Sequence, residues 1–141
     1  TLLPPTLEQL SGLELELTAF QVEIEKQGIS QEQQAILLLT EAELNLIKMQ
    51  QNLALAQEQS RFANLAFPRC DAESNLGKAI AFFDKSLSQE NLAEKNFHAF
   101  ATDYRTQATQ TGINFERLQL NLAASQQSIR QLKETVKQFC P

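Results

Sequence analysis

Residues 30–68 read SQEQQAILLLTEAELNLIKMQQNLALAQEQSRFANLAFP, and the period of this stretch decides the fold. Leu39, Leu46 and Leu53 recur every seven residues, and Ala35, Ala42, Met49, Ala56 and Ala63 form a second seven-residue row. Large residues in one row against small ones in the other make the a/d seam of a helix that packs along another helix. Ser30-Gln31-Glu32-Gln33 has the capping-box pattern at the start. Its serine oxygen accepts from the third helical N–H while the glutamine reaches back. Pro68 removes a donor and disfavours helix in the residue before it. A helix over 30–67 is therefore expected, on the order of 55 Å long.

Working towards the N-terminus, Thr6-Leu7-Glu8-Gln9 is a second capping box after Pro4-Pro5. Leu10, Leu13, Leu17, Phe20 and Ile24 follow at three- and four-residue steps, one helical stripe. The segment Leu13-Glu14-Leu15-Glu16-Leu17 also alternates with period two, as a strand would. The cap and the longer stripe together favour helix over 6–27, with Gly28 as its stop. Leu15 and Val22 lie off the stripe, so this helix carries a second apolar edge that needs a second partner.

Towards the C-terminus, Asp71-Ala72-Glu73 opens a third helix, expected over 71–110. Its early stripe is Leu76, Ile80, Phe83 and Leu87. Ser88 followed by Glu90 resembles a second start, which places a kink or break near 86–90. The later stripe is Phe97, Phe100 or Ala101, Tyr104 and Ala108, closed by Gly112. A fourth helix is expected over 113–139. Its stripe is Leu118, Leu122, Ser125, Ile129, Leu132, Val136 and Phe139, with Lys133 and Lys137 complementing the dipole at its end.

Short connections at 28–29, 68–70 and 111–113 make neighbouring helices antiparallel. The expected fold is all-α: an elongated up-down four-helix bundle, one domain over 1–141. The second and third helices are longer than the first and fourth. Part of their seam thus lacks a covering helix and leaves room for self-association. No internal repeat is visible.

The chain has two cysteines, Cys70 and Cys140. An up-down path brings the end of the second helix and the end of the fourth to one pole, so the two cysteines meet there. Such a bridge needs Cα atoms roughly 4.4–6.8 Å apart. It would stabilise by about 4 kcal/mol in the chain-entropy model. Disulfides persist in oxidising compartments, which points to a periplasmic or secreted protein. The chain opens on Thr1-Leu2-Leu3-Pro4-Pro5 without Met, as a mature protein or a trimmed segment would.

Composition narrows the function classes. With 43% hydrophobic and 21% charged residues the chain is globular. A net charge of −5 argues against nucleic acid as the partner. Glu residues crowd the first fifty positions and cations the last forty. These are either complementary faces within one bundle or a two-sided docking surface. The longest apolar run, Ala35 to Leu39, is far short of the roughly 18 residues of a membrane span.

No motif carries recognisable chemistry. Glu90, Glu94 and His98 line one helical face. Bundle metal sites, however, use Glu-x-x-His on two helices, and the chain has a single His. Solvated charges account for the three residues, so no metal and no cofactor is expected. There is no phosphate loop, no nucleophile elbow and no acid pair placed to shift a pKa. No enzyme is expected.

The aromatics Phe82, Phe83, Phe97, Phe100, Tyr104 and Phe115 concentrate on the third helix and the start of the fourth. They read first as core. Their alternative is a binding surface formed by Phe82, Phe83, Phe97, Phe100 and Tyr104. Adjacent Phe82 and Phe83 cannot both face one core, so one is a candidate exposed anchor. The Gln-rich faces, such as Gln57-Glu58-Gln59 and Gln126-Gln127, read as neutral solvated surface.

The expected function is contact with another protein, as an adaptor, inhibitor, chaperone-like or secretion-apparatus component. The alternative is a small apolar ligand held among the aromatics of the third helix. A pocket of about 300 Å³ or more lined by them would favour that alternative.

Overall fold

The structure, a computed structural model, describes residues 5–28 and 30–141. Ile29, in the first expected connection, lies outside the described residues. Five helices follow in order: α1 Leu7–Lys26, α2 Gln31–Phe62, α3 Asn75–Asp103, α4 Arg105–Gln110 and α5 Phe115–Lys137. Among the described residues there is no strand, so the alternating Leu-Glu segment is helical.

Both capping boxes form. Thr6 Oγ1 accepts from the Gln9 N–H at 3.1 Å and Gln9 Oε1 from the Thr6 N–H at 2.9 Å. The Ser30–Gln33 pair repeats this at 3.2 and 2.9 Å. Each box satisfies donors that a helix start otherwise leaves to water.

The seam of α2 is the core. Ala35, Ala42, Met49 and Ala56 are buried and Leu39, Leu46 and Leu53 partly so. Three apolar layers stack along it. Near the disulfide, Met49 and Ala56 meet Leu76, Ala79, Phe83, Ile129 and Val136. In the middle, Ala42 meets Ala93, Phe97 and Leu122. At the far end Ala35 meets Phe100 and Ala108. All three layers draw on α2 and α3, and α5 side chains join each of them.

The strand-free topology runs up and down. Asn45 pairs with Asn96, Met49 with Ser86 and Gln34 with Tyr104, so α2 numbers fall as α3 numbers rise. The same holds between α3 and α5 for Glu90–Ser125 and Asp84–Lys133.

α1 lies outside this three-helix core. Thr40, Leu44 and Ile47 are also buried, yet they fall roughly opposite Ala42 and Met49 around the α2 axis. That second face receives α1, whose tertiary packing is on α2 and whose Gln21 Nε2 donates to Glu41 Oε2 at 2.9 Å. α1 buries only Leu10 and Ile24.

Three expected boundaries move. α2 ends at Phe62 rather than 67, because Ala63 is extended and Asn64 Oδ1 accepts from the Ala66 N–H at 3.0 Å. The short connection at 68–70 becomes a segment over 63–74. α3 starts one turn after Asp71, with Ser74 as its cap: Ser74 Oγ accepts from the Gly77 N–H at 3.1 Å. Gly77 is required there, since a Cβ would overlap the Asp71 carbonyl.

The break expected near 86–90 is absent, and α3 runs unbroken to Asp103. Ser88, the expected second cap, is an exposed residue within the helix, and Glu90 is a buried partner of α5. The break falls at Tyr104, at φ −127° and ψ 56°. Beyond it the six residues of α4 turn back so that Ala108 packs with Phe100 and Ala35.

Cys70 and Cys140 are joined, with Cα atoms 5.7 Å apart, at the pole where the 63–74 segment and the end of α5 meet.

Candidate functional site

The fold places three surface regions beside its helices. The five aromatics expected to form one binding surface are divided between two regions. Phe83 is buried in the layer next to the disulfide, and Phe82 packs on the same layer under Lys85, whose Nζ lies 5.3 Å from its ring. Phe97, Phe100 and Tyr104 belong to the other half of α3, with Phe97 about 21 Å along the helix from Phe83. There Phe115 joins them, its ring centroid 5.7 Å from Phe100 and 6.4 Å from Phe97. Phe83, Phe97 and Phe100 are core residues, while Phe82 and Tyr104 are half-buried.

A cleft of about 250 Å³ opens beside the second group, between α3, α4 and α5. Phe97, Phe115, Leu118 and Leu122 form its apolar floor. Glu94, His98, Arg105 and Glu116 stand on its rim, two carboxylates against one guanidinium. A larger cleft of about 340 Å³ between α2 and α4 includes Phe100 alone of the aromatics.

The acidic face of α3 is used internally. Glu90 is fully buried; its Oε2 accepts from Ser125 Oγ at 3.0 Å while Oε1 has no partner. Glu94 Oε2 accepts from Gln126 Nε2 at 2.9 Å, and His98 is exposed. Among the described residues no three His, Cys, Asp or Glu side chains come together as a metal site.

The disulfide pole carries the most exposed large apolar side chains near a rigid point. Phe62 at the end of α2 and Leu65 and Phe67 of the inter-helix segment are exposed, Phe67 at 78%, and Leu132 of α5 and Phe139 just beyond it lie open as well. Leu65, Leu132, Phe139 and Thr135 line a cleft of about 260 Å³ whose floor is Leu76, Phe83 and Val136. On the other side of the segment a second cleft of about 390 Å³ is lined by Phe67, Arg69, Glu73 and Leu76. Sequence reading misses this surface, because the expected helix over 30–67 covers it. The apolar run Phe62, Leu65, Ala66, Phe67 directly before Pro68 was its only signal.

No family model matches this chain, and no curated protein or solved structure matches it significantly. Among the described residues no helix is long and apolar enough to cross a membrane.

Proposed function

We propose that this protein is a non-catalytic, extracytoplasmic helical module, periplasmic or secreted, that acts by binding another protein. The observation that carries this reading is the pole. Leu65 and Phe67 stand exposed on a segment anchored by Cys70–Cys140 and flanked by two clefts, with Phe62 exposed at the end of α2 beside it. Large apolar side chains exposed together at one pole are what contact sites are made of. A rigid tip holding aromatic anchors lowers the ordering cost of binding. The disulfide supports an oxidising location.

A photo-crosslinking residue in place of Phe67 tests this, with the same residue in place of the solvent-facing Gln127 as control. Adducts from 67 alone are expected in the native extracytoplasmic fraction. Equal labelling from both positions, or none from 67, contradicts the reading.

A second reading, a small apolar ligand, is supported by the apolar floor of the α3–α5 cleft. At about 250 Å³, with only Phe97 and Phe115 of the aromatics, it is smaller than the roughly 300 Å³ or more of small-molecule sites.

A further inference from the structure

The outer face of α1 repeats the pattern that builds the core of α2. Gly12, Leu15, Ala19, Val22 and Lys26 follow at steps of three, four, three and four. Small residues alternate with large ones, as Ala35, Leu39, Ala42 and Leu46 do along α2. This row is distinct from the stripe Leu10, Leu17 and Ile24 that faces α2. Among the described residues it has no partner: Leu15 is 71% exposed and Val22 45%, Ala19 is exposed, and the space beside Gly12 is open. A glycine inside an exposed helix costs stability without return unless something approaches closely.

The flanks of the row are acidic. Glu16 and Glu23 border it on one side and Glu25 on the other, and Glu8 stands at its start. Against these four carboxylates the row offers only Lys26, itself 3.7 Å from Glu23.

We infer that this face is a docking site for a single amphipathic helix of another protein, one with Leu/Ala-type seam residues flanked by Lys or Arg. The inference rests on the reading of the protein as a contact module. A helix is required because α1 has no free backbone edge to which an extended peptide could add, and the 3–4 spacing interlocks with a matching helix. Basic flanks are required because Glu16, Glu23 and Glu25 would repel acidic ones.

A second copy of this chain fits poorly. Pairing α1 with α1 sets acid against acid. The cationic α5 presents outward Leu120, Ala124, Gln127 and Gln131, with Gln where apolar knobs are needed. A membrane surface fits no better, since helices lying on anionic lipid carry Lys and Arg on the polar face.

The test uses the whole disulfide-bonded protein and two synthetic helical peptides of about 21 residues, a length on the order of 30 Å. Both carry a Leu/Ala seam; one has Lys at the flanking positions and the other Glu. Fluorescence anisotropy should show the Lys peptide binding at least tenfold more tightly, with affinity falling as salt rises. Leu15→Ser and Val22→Ser, both at exposed positions, should each weaken it at least tenfold while circular dichroism stays unchanged.

Equal binding of the two peptides overturns the inference, as does indifference to Leu15→Ser and Val22→Ser. A dimer in sedimentation that Leu15→Ser dissolves assigns the face to a second copy instead. Crosslinks from position 67 report on the pole independently. Their survival when the peptide fails confines the error to α1, and loss of both removes the contact reading itself.

Discussion

Ser125 Oγ donates to Glu90 Oε2 at 3.0 Å across the α3–α5 interface, and the other oxygen of that carboxylate is buried without a partner. Burial holds the Glu90 carboxyl above the ordinary carboxylate range. The Glu94 charge adds to this, while the Ser125 hydroxyl and Arg130 oppose it.

A raised carboxyl binds its proton more tightly in the folded chain than in the unfolded one. Its contribution to stability is therefore full at pH below the ordinary carboxylate value and is lost as pH rises towards the folded value. Glu90→Gln keeps an acceptor for Ser125 and removes the buried charge. Its melting temperature should exceed that of the parent by several degrees at pH 8 and match it at pH 4. Glu43, raised by partial burial in the same sense, leaves a residual slope. Thermal melts across pH 4–8 read both chains. A lower melting temperature for Glu90→Gln at pH 8 would show that the charge itself holds α5.

Opening the Cys70–Cys140 bridge releases a loop with 70 residues of separation. The chain-entropy model gives about 4 kcal/mol for such a loop. Cys140→Ser should lower the melting temperature by roughly 5–15 °C. Helix content should persist, because Cys70 packs only on the layer nearest the bridge and the buried side chains of all three layers come from the helices themselves. Calorimetry with and without reductant measures this, and identical curves would deny the bridge a structural role.

Gly77 and Gly12 make opposite predictions for the same substitution. At Gly77 a Cβ meets the Asp71 carbonyl, so Gly77→Ala should cost about 1–3 kcal/mol despite alanine's better helix propensity. Urea melts of the isolated variant provide the value.

At Gly12 the Cβ enters open space on an exposed helix, so Gly12→Ala should stabilise by about 0.5–1 kcal/mol. The same urea melts decide it. Destabilisation there would mean that the α1 backbone is already approached within the monomer.

How much of this was readable depended on whether local or tertiary forces set each feature. The caps at Thr6 and Ser30 were legible because one side chain and one turn decide them. The α2 seam was legible from its period, and the shared pole of Cys70 and Cys140 followed from counting short connections. The end of α2 was not legible. Ala63 to Phe67 are acceptable helix formers, and the chain leaves the helix there to reach Cys70. Glu90 misled for a related reason. The residue types that open helices also satisfy buried donors and acceptors between helices, and only the packing of α2 and α5 distinguishes the two. Tyr104 carried no breaker residue at all. The reward for breaking there is burial of Ala108 against Phe100, a contact invisible to periodicity. The candidate contact surface at the pole was hidden behind the misplaced end of α2. The second seam of α1 showed in Leu15 and Val22 from the outset.

The central claim is that the disulfide-held pole is where this protein meets its partner. It is tested most directly by crosslinking from position 67 in two chains, the native one and Cys140→Ser, below the melting temperature of both. The account predicts a discrete adduct with the native chain and a several-fold weaker one when the bridge is absent. An adduct of equal yield from both chains would contradict it, since the tip would then bind without being held.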